Sequence, residues 1–315
     1  MLRFLLRLAA AGVLAAGSGI VSGQNYPTKP VRVVTVEPGS SANLVARAVA
    51  QGLTGALGQQ VVVDNRGIVA VETVARAQPD GYTLLFYSDP MWLSPFFREV
   101  SWDPVKDFSP IATTARAPAV LVVHPSLPVK TVRELIALAK ARPGELNYGS
   151  GSSGSAPHLA AELFKALADV SIVRINFKGT GPAIPALIGG QVQLMFPGAG
   201  SVTTHVKAGR LRALAVASAE PSALVPGLPT VAESGLPGFE ASSHFGMFAP
   251  AKTPATLVNR LHQEIAGVLN RSGVRERLFN AGIETVPGAP YELAALVKSE
   301  MARWGKLIRD AGLRD

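Results

Sequence analysis

The sequence predicts an α/β protein whose sheets are mainly parallel and flanked by helices. One unit recurs along it: a β-branched or apolar run, a loop of Gly, Ser or Pro, then residues with helical periodicity. Runs of four to seven residues alternating with helical stretches of ten or more are the pattern of strand–helix–strand crossovers. At 315 residues, with 48% hydrophobic and 17% charged residues, the chain has material for two ordinary domains and a large core.

The elements follow in order. MLRFLLRLAAAGVLAAGSGIVSG stands apart. Arg3 and Arg7 precede the uncharged run Leu8–Val21, 14 residues long, and small residues lead on to Gln24. This is the pattern of a secretory signal peptide over 1–23, too short for the roughly 18–20 residues of a membrane span. VRVVTVEPGSSANLVARAVAQGL (31–53) is the first strand–loop–helix unit, and VVVDN (61–65) and YTLLFYSDP (82–90) supply further strands. PAVLVVHPS (118–126) precedes the helix TVRELIALAKA (131–141), where Thr131 and Glu134 have capping-box spacing. LNYGSGSSGSAPHLAAELFKAL, VSIVRINFKGTGPAIPALIGG, VQLMFPGAGSVTTHVKAG and LRALAVASA continue the alternation. The C-terminal stretches 253–270, 272–282 and 290–312 read as helices with little strand between them.

Composition excludes several classes of function. The chain has no cysteine, hence no disulfide, thiolate metal site or cysteine nucleophile. Its formal charge of +8 falls to +6 without Arg3 and Arg7, and the basic residues are scattered rather than gathered into a nucleic-acid stripe. The five histidines form no ligand pair, so neither a metal nor a cofactor is expected.

Three loops, PGSSAN, GSGSSGSAP and KGTGP, stand where a strand gives way to a helix. In open α/β sheets ligands bind at such places, and exposed amides with the helix dipole favour an anion. Gly149, Gly151 and Gly154 spell G-x-G-x-x-G. A dinucleotide site wants an acid near the end of the next strand, however, and Arg174 stands near that position. The serines around His158 offer no G-x-S-x-G nucleophile elbow. A binding protein for a small carboxylate fits these residues best; a secreted hydrolase acting on a small carboxylate or ester is the alternative, and a structural adhesin a third reading.

More specific motifs are YPTKPVRVV, ARAQPDGYTLL (75–85), WDPVKDFSPIA (102–112), VLVVHPSLP, ELNYGSGSSGSAPHLAAELFK, GGQVQLMF, KAGRLRALAV, LPTVAESGLPGFE and FGMFAPAKTP. In order and spacing they resemble receptors of the tripartite tricarboxylate transporter family, the Bug or TctC type, over essentially all of the mature chain. The resemblance implies a two-lobed periplasmic binding protein, type II-like, with crossover strands between lobes, that closes on a small organic carboxylate and serves integral-membrane transporter subunits. It implies a soluble periplasmic monomer without catalytic function. Lobe 1 is expected over 26–117 plus 246–315, and lobe 2 over 118–245 including the crossover segments.

The family's ligand loops carry over to Gly39, Ser40, Ser41 and Asn43 after the first strand, to Ser150, Ser152, Ser153, Gly154 and Ser155, and to Thr180 and Gly181, with His244 near the cleft mouth. Each has a plainer role as helix cap, turn or packing residue. This chain departs from the family pattern in three places. Asn43 stands where an aspartate is usual, the segment after Asn65–Arg66 is about four residues short, and FYSDPMW carries an acid, Asp89. Asp89 has two readings: an inward carboxylate meeting an ammonium, or a turn residue ahead of Pro90.

Overall fold

The computed structural model describes residues 26–67, 69–151 and 154–313; the expected signal peptide, Ser152 and Ser153 lie outside these. Strand β1 (Val31–Thr35) is buried on both faces, as its valines require. Helix α1 (Ser41–Leu57) starts where Ser40 Oγ accepts the Asn43 N–H at 3.1 Å. It ends at Gly58, left-handed at φ 67°, which glycine adopts without the Cβ penalty. Next come β2 (Val61–Asn65), α2 (Val69–Ala75), β3 (Thr83–Ser88), α3 (Pro90–Phe97) and β4 (Phe108–Pro118). The chain then reaches β5 (Val120–Val123), α4 (Val132–Ala141), β6 (Asn147–Ser150), α5 (Ala156–Ala168) and β7 (Val173–Asn176). Helix α6 (Thr180–Ile188), β8 (Leu194–Met195), α7 (Ala199–Lys207) and β9 (Arg212–Val216) complete that part. The last stretch holds β10 (Ser242–Pro250), α8 (Ala255–Leu269), α9 (Ser272–Asn280), β11 (Glu284–Gly288) and α10 (Pro290–Asp310).

These strands form two sheets, ordered β11-β4-β10-β3-β1-β2 and β7-β6-β8-β5-β9. The expectation of mainly parallel sheets meets two mixed ones. The strand–helix–strand units pair in parallel, β1 with β2 and β3, and β6 with β7 and β8. The strands that pass between sheets run against their neighbours: β10 pairs antiparallel with β3 and β4, and β5 with β8 and β9. A chain that crosses between the C-terminal edges leaves each sheet in the common sense, as β4 and β9 do, and enters the other from its C-terminal edge, so β5 and β10 run against the rest. At Thr131 the helix cap holds, with the Glu134 N–H 3.1 Å from Oγ1, but the returning carboxylate takes the Lys130 N–H rather than that of Thr131. Between α9 and α10 the chain makes β11, which gains its place by pairing with β4.

Outbound, Ala119 alone separates β4 from β5; inbound, residues 217–241 separate β9 from β10. The passages lie side by side, Ser242 opposite Pro118, and are laced by Ala217 N–H to Ala119 O at 2.8 Å and Ala241 N–H to Ala217 O at 2.7 Å. This hinge is built of alanines, whose small side chains let three backbones approach.

One buried cluster lies between the first sheet and helices α1, α8 and α9, and a second under α6 and α7. The largest is shared: it runs from Val34, Leu85 and Trp92 beside the first sheet to Leu121, Tyr148 and Phe164 of the second unit, and includes Trp304.

Candidate functional site

Where the C-terminal edges of the two sheets approach each other they enclose a cavity of about 250 Å³. The first unit contributes Ser88, Asp89, Pro90 and Leu93, from the end of β3 and the start of α3, with Trp304 of α10. The second contributes Gly154, Ser155, Ala156 and Leu159 at the start of α5, and the hinge contributes Ala241, Ser242 and Ser243.

Local sequence explains each wall. β3 is buried through Leu84–Tyr87 and emerges at Ser88. Pro90, with its fixed φ and no N–H, opens α3 at once. Asp89 occupies the N-cap of α3 but makes no side-chain cap bond there. Its Oδ1 instead accepts the backbone N–H of His244 on β10 at 2.9 Å, tying α3 to the hinge strand. Across the cavity, Gly154 takes φ +76°, a left-handed turn that lets the chain enter α5. A Cβ on Gly154 would stand 2.9 Å from the ring of Phe97, so this turn is pressed against the first unit. Ser155 is the N-cap of α5 and Pro157 follows in its first turn, leaving the Ser155 hydroxyl without a partner. Ser242 is 6% exposed and its hydroxyl is unpartnered too.

The turn before α5 is held from behind. Arg174 Nε donates to Ser150 Oγ at 2.9 Å and its Nη2 to Gly151 O at 2.8 Å. The residue that occupies the place of a dinucleotide acid is therefore a brace for the loop. His158 Nδ1 accepts the Gly154 N–H at 3.0 Å, so that nitrogen is engaged by backbone and not by a serine nucleophile.

Among the described residues, Asp89 is the sole titratable side chain lining the cavity. Burial pushes its carboxyl up to about 7, aided by the neighbouring Glu300, against the pull of hydrogen bonds from His244 N–H and the Ser243 hydroxyl. Burial, with Arg303 and Arg116 nearby, lowers His244 to about 4 and keeps it neutral. Burial raises Glu300 as well, although Arg303 opposes this. Ligand atoms of Asp89, His244 and Glu300 lie within 4.8 Å of one another, yet the set suits a metal ion poorly. Glu300 Oε1 already accepts from Arg303 at 2.6 Å and Oε2 from Trp304 Nε1 at 2.5 Å, and the guanidinium beside them repels a cation.

The structure thus gathers Asp89, Gly154 and Ser155 around one cavity and places His244 behind Asp89. Ser150 is fully buried beneath the loop. Gly39, Ser40, Ser41, Asn43, Thr180 and Gly181 do not line it. Ser40 caps α1, while Asn43 is 5% exposed, accepts from Arg47 Nε at 3.2 Å and leaves its Nδ2 unpartnered. Both turns nonetheless belong to the same edges. β1 is the parallel neighbour of β3, and β7 that of β6, so the turns after β1 and β7 project on the cavity side of their sheets. Gly151 and Gly179 are close enough that a Cβ on the former would lie 3.2 Å from the latter's Cα. Lining residues that sequence reasoning missed include Leu93, Leu159, Ser242, Ser243 and Trp304. The two leucines and the tryptophan carry only the apolar periodicity of their helices. Ser242 lies in a crossover segment that the sequence does reveal.

The units also touch away from the cavity. A Cβ on Gly200, in the first turn of α7, would stand 2.3 Å from the carbonyl oxygen of Ala281 and 3.2 Å from Gly282 Cα, next to β11. A larger hollow of about 660 Å³, lined by Arg275, Phe279 and Ile283 among others, lies elsewhere; its Arg116 and Glu284 are paired at 2.6 Å.

The family model described as "Tripartite tricarboxylate transporter family receptor" (TctC) matches residues 45–313. The chain is 34% identical over 318 residues to Protein BugT of Bordetella pertussis, covering 98% of each. It is 38% identical over 290 residues to a UPF0065 protein of Pseudomonas sp. (strain P51), covering 90% of this chain and 86% of that one. Among solved structures, R. palustris Rpa4515 with adipate superposes with a TM-score of 0.78 at 35% identity, covering 91% and 98% of the two chains. MatC of Rhodopseudomonas palustris with bound malate gives 0.74 at 31% identity, covering 90% and 100%. A TctC solute-binding protein from Polaromonas gives 0.82 at 25% identity, covering 90% and 99%. The two lobes of mixed sheet, the crossover strands and the cavity between sheet edges are thus those of a solute receptor, and this chain belongs to the tripartite tricarboxylate transporter receptor family.

Proposed function

We propose that this protein captures a small organic carboxylate between its lobes in the periplasm and delivers it to the membrane subunits of a tripartite tricarboxylate-type transporter, without catalysing a reaction. The observation that carries the reading is the cavity itself. It combines the N-terminal end of α5 with two unpaired hydroxyls, Ser155 from the second unit and Ser242 from the hinge strand. Helix N-termini favour anions, and unsatisfied buried hydroxyls gain a partner when a solute enters. That relatives were solved with adipate and with malate supports a carboxylate. The turns at Gly39–Ser41, exposed, and Thr180–Gly181, half-buried at Thr180, add donors on the same sheet edges, and the lobes turn about Ala119, Ala217 and Ala241. The serines around His158 offer no nucleophile elbow in sequence, and His158 Nδ1 is taken by the Gly154 N–H. No described helix is long and apolar enough to cross a membrane. The receptor is proposed to work as a monomer.

The test is a thermal-shift screen of the purified mature chain against mono-, di-, tri-, amino- and aromatic carboxylates. A solute at one hundred times its Kd adds about 2.7 kcal/mol, roughly 5 °C of melting temperature for a chain of this size. If no acid in the panel moves the transition, the carboxylate reading fails; turnover of an ester would favour the hydrolase.

A further inference from the structure

The cavity is electrically asymmetric. On the wall from the second unit stand the start of α5, a 13-residue helix, and the unpartnered hydroxyl of Ser155. The first unit contributes Asp89, and β10 adds Ser242, whose hydroxyl is unpartnered and more than nine-tenths buried. Among the described residues no cation pairs with Asp89. Its Oδ1 takes the His244 N–H, the Ser243 hydroxyl donates to the same carboxyl, and the nearest charge is another acid, Glu300. Arg303, the cation of the neighbourhood, is committed to Glu300 and to Glu240 O. Arg116 is paired with Glu284. Leu93, Leu159 and Trp304 give part of the lining an apolar character.

Resting on the carboxylate reading, we infer that the solute is zwitterionic: an aminocarboxylate whose carboxylate meets the α5 end of the cavity and whose ammonium meets Asp89. A second carboxylate beside Asp89 would meet an acid that already has Glu300 as its neighbour, in a site shielded from water where like charges repel strongly. An ammonium there gives Asp89 the counter-ion that the protein withholds. The cavity volume suits a solute of roughly eight non-hydrogen atoms, the size of a small amino acid. Asp89 is thereby a specificity-determining residue, and a chain lacking it, with the α5 end unchanged, prefers plain carboxylic acids.

The raised carboxyl supplies an independent signature. Among the described residues, Glu300 of α10 and His244 of β10 act on it, while Arg303 of α10 acts on both of these, Arg116 of β4 on His244 and Glu240 on Glu300. His244 titrates well below neutrality. Ammonium binding requires the ionised form, which for a group titrating at about 7 rises roughly tenfold from pH 6 to pH 8.

Isothermal titration with matched solutes tests the inference: 4-aminobutyrate, butyrate and succinate, then alanine and propionate, then leucine and 4-methylpentanoate, each at pH 6, 7 and 8. An aminocarboxylate should bind at least tenfold more tightly at pH 8 than its deaminated or dicarboxylate counterpart, and about tenfold more tightly at pH 8 than at pH 6. Asp89→Asn should bring the ratio between counterparts toward one; the pH profile of the unaltered protein serves if that variant does not fold. Preference for succinate, affinity that is flat or falls with rising pH, or an unchanged ratio in Asp89→Asn would each overturn the ammonium site while leaving the carboxylate reading standing. Failure of every acid to bind would remove both.

Discussion

Gly200→Ala isolates the contact between the two units. The new methyl would lie 2.3 Å from Ala281 O and 2.9 Å from the carbonyl carbon, against 3.4 Å or more for ordinary contact. Both obstacles are backbone, so neither can rotate away, and a separation of about an ångström is needed. Gly200 is in the first turn of α7, where alanine favours the helix by up to about 1 kcal/mol. The partners belong to different units, Gly200 to α7 and Ala281 to the end of α9, so the gap opens with least disturbance by turning the lobes apart about the alanine hinge. Overpacking of this kind costs about 1–3 kcal/mol, which on the closed, solute-bound form alone weakens affinity roughly 5- to 150-fold. Calorimetric titration with the solute found in the screen measures the loss, and small-angle scattering of the free protein measures the opening. A melting temperature lowered by several degrees with affinity unchanged would show that the clash is absorbed inside one lobe, and would refute the reasoning.

Other outcomes follow from the same geometry. Ser242→Ala removes one of the two unpaired hydroxyls and should weaken solute binding by about 1 kcal/mol, roughly fivefold, without lowering the stability of the free protein; a loss of stability with unchanged affinity contradicts the assigned contact. Gly55→Ala, in the interior of α1 with open space around the new methyl, should stabilise the chain by about 0.5–1 kcal/mol in urea titration, and no gain would contradict the helix placement. His244, lowered from 6.5 to about 4, contributes stability that is complete above pH 6.5 and lost as pH falls toward 4. Asp89, raised from 3.8 to about 7, acts in the opposite sense: its penalty grows from pH 4 and is complete above 7. The two offset each other between about pH 4 and 6.5, so Asp89→Asn should unmask a rise in stability of a few kcal/mol over that range, and parallel profiles for the two proteins would exclude it.

The strand–helix units and the helix-entry loops were legible because each is a local pattern: valines for a buried strand, glycine and serine for the turn, a period for the helix. The senses of the crossover strands were not. SSHFGMFAP reads as extended, but its antiparallel place between β3 and β4 depends on the return path of the whole chain. Ser40 illustrates a different limit. A serine before a helix suits a ligand or a cap, and only coordinates show its hydroxyl taking the Asn43 N–H. Asp89 stood out against the family pattern, yet its direction was fixed by His244, 155 residues away. Glu300 and Trp304 gave no sign, since on an amphipathic helix a buried acid beside a tryptophan resembles any other turn.

The shared cluster that reaches from Trp92 through Trp304 to Phe164 bears on how this molecule comes apart. A protein of two sheets joined by a slender bridge would melt in two stages, each half surviving the loss of the other. Here neither half owns all of its interior, so unfolding one strips apolar cover from its neighbour, and a single calorimetric transition is the natural result. Solute arriving in the gap then protects the entire chain rather than the half it first touches.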